Sequence, residues 1–417
     1  AALLSQANSN SNSNVTSLGV SRVTIAELGA RNVARRPKRS LATVALLACG
    51  SFLIVSIGAF RLDAERDATR RSSGTGGFVF IGETSHPVVH DLNTEKGRDA
   101  FSLDAKKLSD TKFVPMRVRD GDDASCLNLN RAQKPRLLGV KPELLAERNA
   151  FTFVNFASKQ PLENPWLLLN EIDSTGAVPA IGDAASIQWA LGKKVGDTLV
   201  YTDERGGEFR IRLVGAVANS ILQGNLLIAE HRFVERFPNE TGYRMFLIDG
   251  PSNDPVRRDE MAATLMRGLQ DVGLELTPAA ARLAAFNAVQ NTYLNTFQVL
   301  GGLGLVLGSF GLAIVVLRNV LERRSELAVL LALGFQPRQV KWMVISEHGK
   351  LLLLGLAVGV FAALVAVLPT LLTPGQALPW RSLGVTLLAV LVNGAVWTWV
   401  AASLALRGKL LNALRNE

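Results

Sequence analysis

The chain has 417 residues, of which 48% are hydrophobic and only 19% charged, and it carries a formal net charge of +9. That is too apolar for an ordinary soluble protein and too polar for membrane spans alone, so spans joined to a sizeable aqueous domain are expected. The excess Lys and Arg crowd the ends of apolar runs, which is the pattern of membrane topology rather than of nucleic-acid binding.

Residues 1–19 read as a polar linker. Asn8 to Asn14 (NSNSNSN) is a low-complexity tract, and Ala1 to Gln6 lacks the basic n-region of a signal peptide. Residues 1–14 are read as the end of a preceding segment, with a trimmed terminus as the alternative. Residues 20–40 form an amphipathic basic arm, with Val23, Ile25, Leu28 and Val33 set among Arg22, Arg31, Arg35, Arg36, Lys38 and Arg39. The first apolar run, 41–60, has 20 residues and no charge. That is enough to cross about 30 Å of hydrocarbon. The basic arm before it places the N-terminus in the cytoplasm.

Residues 61–291 carry charges throughout, with short alternating runs, and predict an α+β extracytoplasmic domain inserted between spans one and two. Strands are expected at Gly77–Gly82, Lys112–Val118, Leu199–Thr202, Glu208–Val217 and Arg244–Ile248, with a turn at Glu204-Arg205-Gly206-Gly207. Helices are expected at Asp63–Arg71, Lys141–Asn149, Ala184–Ala190 and Asp254–Val272.

Three further spans complete a four-helix membrane region. Span two is 297–317, span three 346–372 (its apolar run Leu351 to Leu372), and span four 383–406. A short outside loop, 373–382, with Trp380 as an interfacial aromatic, joins spans three and four, and a basic tail, 407–417, follows. Gly304 and Gly308 in span two, and Gly355 and Gly359 in span three, have the small-xxx-small spacing that lets helix backbones approach closely. The same spacing also arises by chance in apolar helices.

Between spans two and three lies the cytoplasmic segment 318–345. It sets Arg318, Arg323, Arg324, Arg338 and Lys341 against Glu322 and Glu326, with Leu321, Leu327, Val329, Leu330 and Leu333 as its apolar component. Gly334 followed by Pro337 stops the helical pattern. Glu322 and Glu326 are spaced i,i+4 on one face, and Arg323 can pair with Glu326 at i+3. On composition alone the favoured reading of this stretch is a topology anchor whose long side chains snorkel.

The segment resembles the loop of the FtsX/MacB-type ABC transporter permeases, which reads E-[RK]-[RK]-x-E-[IL]-[AG]-x-L-x-A-[LI]-G. Glu322, Arg323, Arg324, Glu326, Leu327, Ala328, Leu330, Ala332, Leu333 and Gly334 match it in order. The arm is similar to that family's lead-in through Arg31, Asn32, Arg36, Arg39 and Ser40, and the stretch from Ala190 to Val217 resembles part of its extracytoplasmic domain. Residues 120–136 have no evident counterpart, and residues 1–14 are consistent with the C-terminal half of a duplicated permease.

The resemblance implies a permease subunit in the cell inner membrane, multi-pass, with both termini cytoplasmic. It would couple hydrolysis on a separate ABC ATPase to movement of the outside domain, for export or extraction of a lipoprotein, lipid, peptide or drug. The alternative is a non-transporting mechanotransmission subunit that regulates an extracytoplasmic enzyme or partner. The ATPase-coupling residues implied are Glu322, Arg323, Arg324, Glu326, Leu327, Leu330, Leu333 and Gly334. The partners implied are the ATPase, a second permease half or copy, and an extracytoplasmic carrier or effector. ATP and Mg belong to the ATPase; this chain has no G-x-x-x-x-G-K-[ST] phosphate loop and is assigned no cofactor.

Other chemistry is set aside. Cys49 lies in an apolar run and Cys126 lies outside beside Asp122 and Asp123, where acids raise rather than lower a thiol pKa. Glu83, His86, His90 and Asp91 are poor metal ligands, because Pro87 breaks a helical reading and no second cluster supports them. The Asp120–Asp123 run lacks the acid twelve positions on that a calcium loop needs, having Arg131 there. None of the four apolar runs holds an ionisable residue that could catalyse, so no catalytic residue and no metal site is assigned. Glu347 and His348 sit at the cytoplasmic edge of span three, where Glu347 is either a conformational contact or an interfacial residue.

Overall fold

The computed structural model describes residues 37–60, 62–65, 67–124, 132–157, 164–171, 176–371 and 380–406. The expectations for the linker, for most of the basic arm, for Cys126, and for the tail lie outside these residues. The chain divides into two compact units, one built on Leu62–Thr292 and the other holding Tyr293–Thr370 with the first and last helices. Each is described by itself.

The first unit is a mixed α/β domain on a ten-stranded sheet. In chain order the strands are β1 (Phe80–Val88), β2 (Lys112–Arg119), β3 (Arg136–Val140), β4 (Phe153–Phe156), β5 (Val178–Asp183), β6 (Thr198–Thr202), β7 (Glu208–Val217), β8 (Asn225–Ala229), β9 (Tyr243–Asp249) and β10 (Leu274–Pro278). Across the sheet the order is β10-β1-β9-β2-β3-β8-β5-β7-β4, with β6 also on β7. The β3–β8 and β5–β7 pairs are parallel and the rest antiparallel.

Both faces of the sheet are covered. Along β8, Leu227 and Ala229 enter one core cluster while Leu226 and Ile228 enter another. Along β9, Met245 and Leu247 enter the first, while Phe246 and Ile248 enter a third. Strict alternation of side chains across a pleated strand produces this split. Trp166, fully buried, anchors the first cluster and donates its indole N–H to the Ala150 carbonyl at 2.8 Å.

Most expected elements are where the sequence placed them. β2, β6, β7 and β9 lie within a residue of the expected strands, and the Glu204–Gly207 turn carries Gly206 at φ +81°. Helices form at Pro142–Arg148 and Pro255–Gly268, and Ser186–Ala190 is a π-helical turn. The helix expected at Asp63–Arg71 is corrected: its described residues form successive turns, tied by Arg70 N–H to Asp67 O at 2.9 Å and by Thr75 Oγ1 to Ala68 O at 2.5 Å. Among its described residues only Ala64 is buried, which is too little for a helical face.

Where the chain enters and leaves this unit, Asn291 brackets one backbone position. Its Nδ2 donates to Leu62 O at 2.8 Å and its Oδ1 accepts from Leu62 N–H at 3.2 Å.

With the short helices Glu95–Ala100 (α2), Pro142–Arg148 (α3), Glu230–Arg236 (α4) and Pro255–Gly268 (α5) counted, the remaining helices are α1 (Pro37–Ala59), α6 (Ala279–Glu322), α7 (Arg324–Ala332), α8 (Pro337–Leu371) and α9 (Trp380–Leu406). Among the described residues, Pro337–Pro369 and Leu383–Leu404 are long and apolar enough to cross a membrane, and Val44–Ala59 is a shorter apolar helix. The run 297–317 lies inside the single 44-residue helix α6.

Candidate functional site

α6 stops at Glu322, and Arg323 leaves helical geometry with φ −104° and ψ 16° before α7 starts at Arg324. The expected placement of Glu322 and Glu326 at i,i+4 on one helix face is therefore corrected. The two residues belong to different helices, and Glu322 instead accepts from Arg318 Nε at 2.8 Å, one turn back on α6. Arg323 does pair with Glu326, Nε to Oε2 at 3.1 Å.

α7 ends in a tight backbone motif. Gly334 N–H donates to Leu331 O at 3.1 Å and Phe335 N–H to Leu330 O at 3.1 Å, with Gly334 at φ +97°. These are the two bonds of a Schellman cap, and the positive φ is what requires glycine there. Two residues later the next helix is capped in turn. Gln336 N–H donates to Gln339 Oε1 at 2.8 Å, and Pro337 occupies the first helical position, where its missing N–H costs nothing. With its C-terminal end closed by these bonds and the next helix capped at its start, α7 is a defined nine-residue element rather than a loose connection.

One face of α7 is buried. Leu327 joins Val316 and Val320 of α6, Val340, Met343 and Val344 of α8, and Ala401 and Ala402 of α9 in a single core cluster, with Leu330 and Leu331 packed against it. The other face is open. Arg324 and Glu326 are exposed, and so are three large apolar side chains, Val329, Leu333 and Phe335, with Leu333 72% exposed. The sequence-nominated residues thus separate: Leu327 and Leu330 seat the helix, Gly334 ends it, and Arg324, Glu326 and Leu333 face outward.

Arg323 belongs to neither group. Its side chain is only 12% exposed, and Nη1 donates to Glu347 Oε2 at 3.0 Å. Glu347 lies on α8 and is itself buried, as is His348, whose Nδ1 lies 3.0 Å from Val344 O. Glu347 stood in the sequence only as an ionisable residue at the edge of an apolar run. Its pairing with Arg323, 24 positions back, had no signal there.

The glycine pairs also part company. A Cβ on Gly355 would meet Leu47 Cβ at 2.8 Å, and one on Gly359 would meet Ser51 Oγ at 2.0 Å and Ala48 O at 2.4 Å, so both face α1 at backbone-contact range. A Cβ on Gly304 would meet nothing within 4 Å. The side-chain position of Gly308 lies outside the described residues.

Residues 299–410 match the sequence family described as FtsX-like permease C-terminal. The chain carries an FtsX-like permease region. It contains the last turns of α6, all of α7 and α8, and α9, so the candidate site lies inside the matched stretch. No curated protein matches the chain. Among solved structures, the crystal structure of the periplasmic region of MacB from Actinobacillus actinomycetemcomitans is similar at 11% identity and a TM-score of 0.27, covering 55% of this chain and 98% of its own.

Proposed function

We propose that this chain is the permease subunit of an ABC transporter, and that α7 is where a separate ATPase docks. The observation that carries this reading is the division of α7 into a seated face and an exposed face within the FtsX-like region. A helix capped at its C-terminal end, packed through Leu327 and open through Arg324, Val329 and Leu333, is a stiff handle on the apolar helices α6 and α8. Closure of an ATP-bound dimer against that handle would tilt those helices. Four membrane crossings, by α1, by 297–317 of α6, by α8 and by α9, with the mixed α/β domain outside, complete the proposed topology in a bacterial inner membrane. The domain would then deliver movement to a lipoprotein, lipid, peptide or drug.

Co-reconstitution with the cognate ATPase tests this. Arg324→Glu, Leu333→Asp and Glu326→Lys are each expected to lower ATPase binding and permease-stimulated hydrolysis by about tenfold, equivalent to ~1.4 kcal/mol of interface energy. Unchanged binding in all three, with the helices still inserted, refutes docking at this surface.

A further inference from the structure

Arg323 is the point at which the exposed face of α7 meets the interior of its helix cluster. Its guanidinium holds two carboxylates at once: Glu326 Oε2 at 3.1 Å through Nε, and Glu347 Oε2 at 3.0 Å through Nη1. The two acids differ sharply in setting. The Glu326 side chain is 62% exposed on the proposed docking face, whereas that of Glu347 is 6% exposed on α8. One cation shared by two anions leaves the triad with one negative charge in excess, and the exposed corner is where solvent or a partner can reach it.

Electrostatic coupling between such groups is weak at the Glu326 end, where water screens it, and strong at the Glu347 end, where burial lowers the effective dielectric. Arg323 also occupies the non-helical residue between α6 and α7, so any shift of its side chain acts on the joint itself. Arg323 is also the N-cap residue of α7, and its side chain makes no capping hydrogen bond to that helix.

We propose that Arg323 is a positioning residue that couples α7 to α8: a cation from the docked partner takes over Glu326, and Arg323, relieved of that carboxylate, then bonds Glu347 alone. This rests on the docking reading and adds to it the partner chemistry, an Arg or Lys aimed at Glu326, and the internal receiver, Glu347. Docking and coupling become separable. Glu326 serves binding, Glu347 serves transmission, and Arg323 serves both.

The test uses the full chain with Cys49 and Cys126 changed to serine and nitroxide labels at the exposed positions Ser325 and Trp342, with and without the ATPase. Glu347→Gln keeps the shape of the side chain and removes its charge. It is expected to broaden the label-to-label distance distribution without ATPase present, to leave ATPase affinity within about twofold, and to lower stimulated turnover at least tenfold; Glu347→Asp is expected to recover part of that turnover. Glu326→Gln is expected to do the reverse, lowering affinity about tenfold while the distances stay narrow. The proposal is overturned if Glu347→Gln leaves both distances and turnover at wild-type values. It is equally overturned if Glu347→Gln lowers affinity in the same proportion as turnover. If instead Arg324→Glu and Leu333→Asp leave the ATPase bound, docking is what has failed, and the distances measured without ATPase still decide the role of Arg323.

Discussion

Two arginines in this chain are equally buried and do opposite things. Arg148 in the mixed α/β domain and Arg323 at the α6–α7 joint each have side chains 12% exposed. Arg148 spends its donors on a single loop and strand end: Nε to Gly76 O at 3.2 Å, Nη2 to Gly77 O at 2.8 Å, and Nη1 to Asp249, with its guanidinium 4.4 Å from the Phe78 ring centroid. Its carbonyl partners belong to residues of positive φ, Gly76 and Gly77, so it locks a turn that only glycine adopts readily. Burial pulls its pKa down to about 10, so it stays protonated at neutral pH and keeps those bonds. Arg323 instead divides its donors between two helices and two carboxylates. A cation surrounded by neutral carbonyls and one acid has a single best arrangement; a cation shared between two acids has two, and their balance responds to a third charge.

The largest effect expected from this contrast is at Arg148. Arg148→Met removes four partners and leaves Asp249 and two glycine carbonyls without their donor, and should lower the stability of the α/β domain by ~3–5 kcal/mol. Hydrogen exchange of β1 and β9 amides in the intact chain reads it directly. A loss below ~1 kcal/mol would mean the turn holds by its backbone alone.

Next is the close helix contact at Gly359. Gly359→Leu forces α8 away from Ser51 and Ala48 of α1, at an overpacking cost of ~1–3 kcal/mol. Gly304→Leu, with open space at its Cβ, should be near neutral in the isolated chain. Cysteine cross-linking between α1 and α8 separates the two, and equal yields for both variants would contradict the contact.

A third prediction concerns Asp183, the last residue of β5. It is fully buried, and burial pushes its carboxyl up to about 6, even though Ser220 donates both its N–H, at 2.6 Å, and its hydroxyl, at 2.8 Å, and the Ala185 N–H donates as well. Against an unfolded value of ~3.9, the native state binds the proton more tightly, so this group's contribution is fully present below about pH 4 and is lost as pH rises through about 6, on the order of 3 kcal/mol in all. Denaturant midpoints taken from pH 4 to 7 should fall along that window, and Asp183→Asn should flatten the slope. A slope unchanged by the substitution would place the titration elsewhere.

The smallest effect is at Trp189, which stands 75% exposed on the π-helical turn. Trp189→Ala should change domain stability by less than ~0.5 kcal/mol.

These regions were also unequally legible in the sequence. β6 alternates exposed and buried residues over Thr198–Thr202, as β7 does over Glu208–Ile211, and that period was visible. β5 and β8 were not found, because every residue in them is buried. With both sheet faces covered, alternation in space leaves no alternation in polarity. β5 also contains Pro179, a residue type that sheet interiors disfavour. At the candidate site, the glycine stop at Gly334 was legible from local chemistry, and the motif from Glu322 to Gly334 through its resemblance to the permease loop. The joint at Arg323 was not, since a helical pattern runs through it unbroken, and neither was Glu347, whose meaning depends on a residue brought to it only by the turn between α7 and α8.

The most direct test of docking at α7 is site-specific photo-cross-linking in the native membrane, with the probe placed in turn at Leu333 and at Leu327. The expected result is an adduct from the exposed Leu333 position to a protein whose sequence contains the ABC phosphate loop, and none from Leu327, which is 1% exposed. No such adduct from Leu333, or from Val329 and Arg324 beside it, would contradict the assignment and leave α7 as a packed connection between two apolar helices.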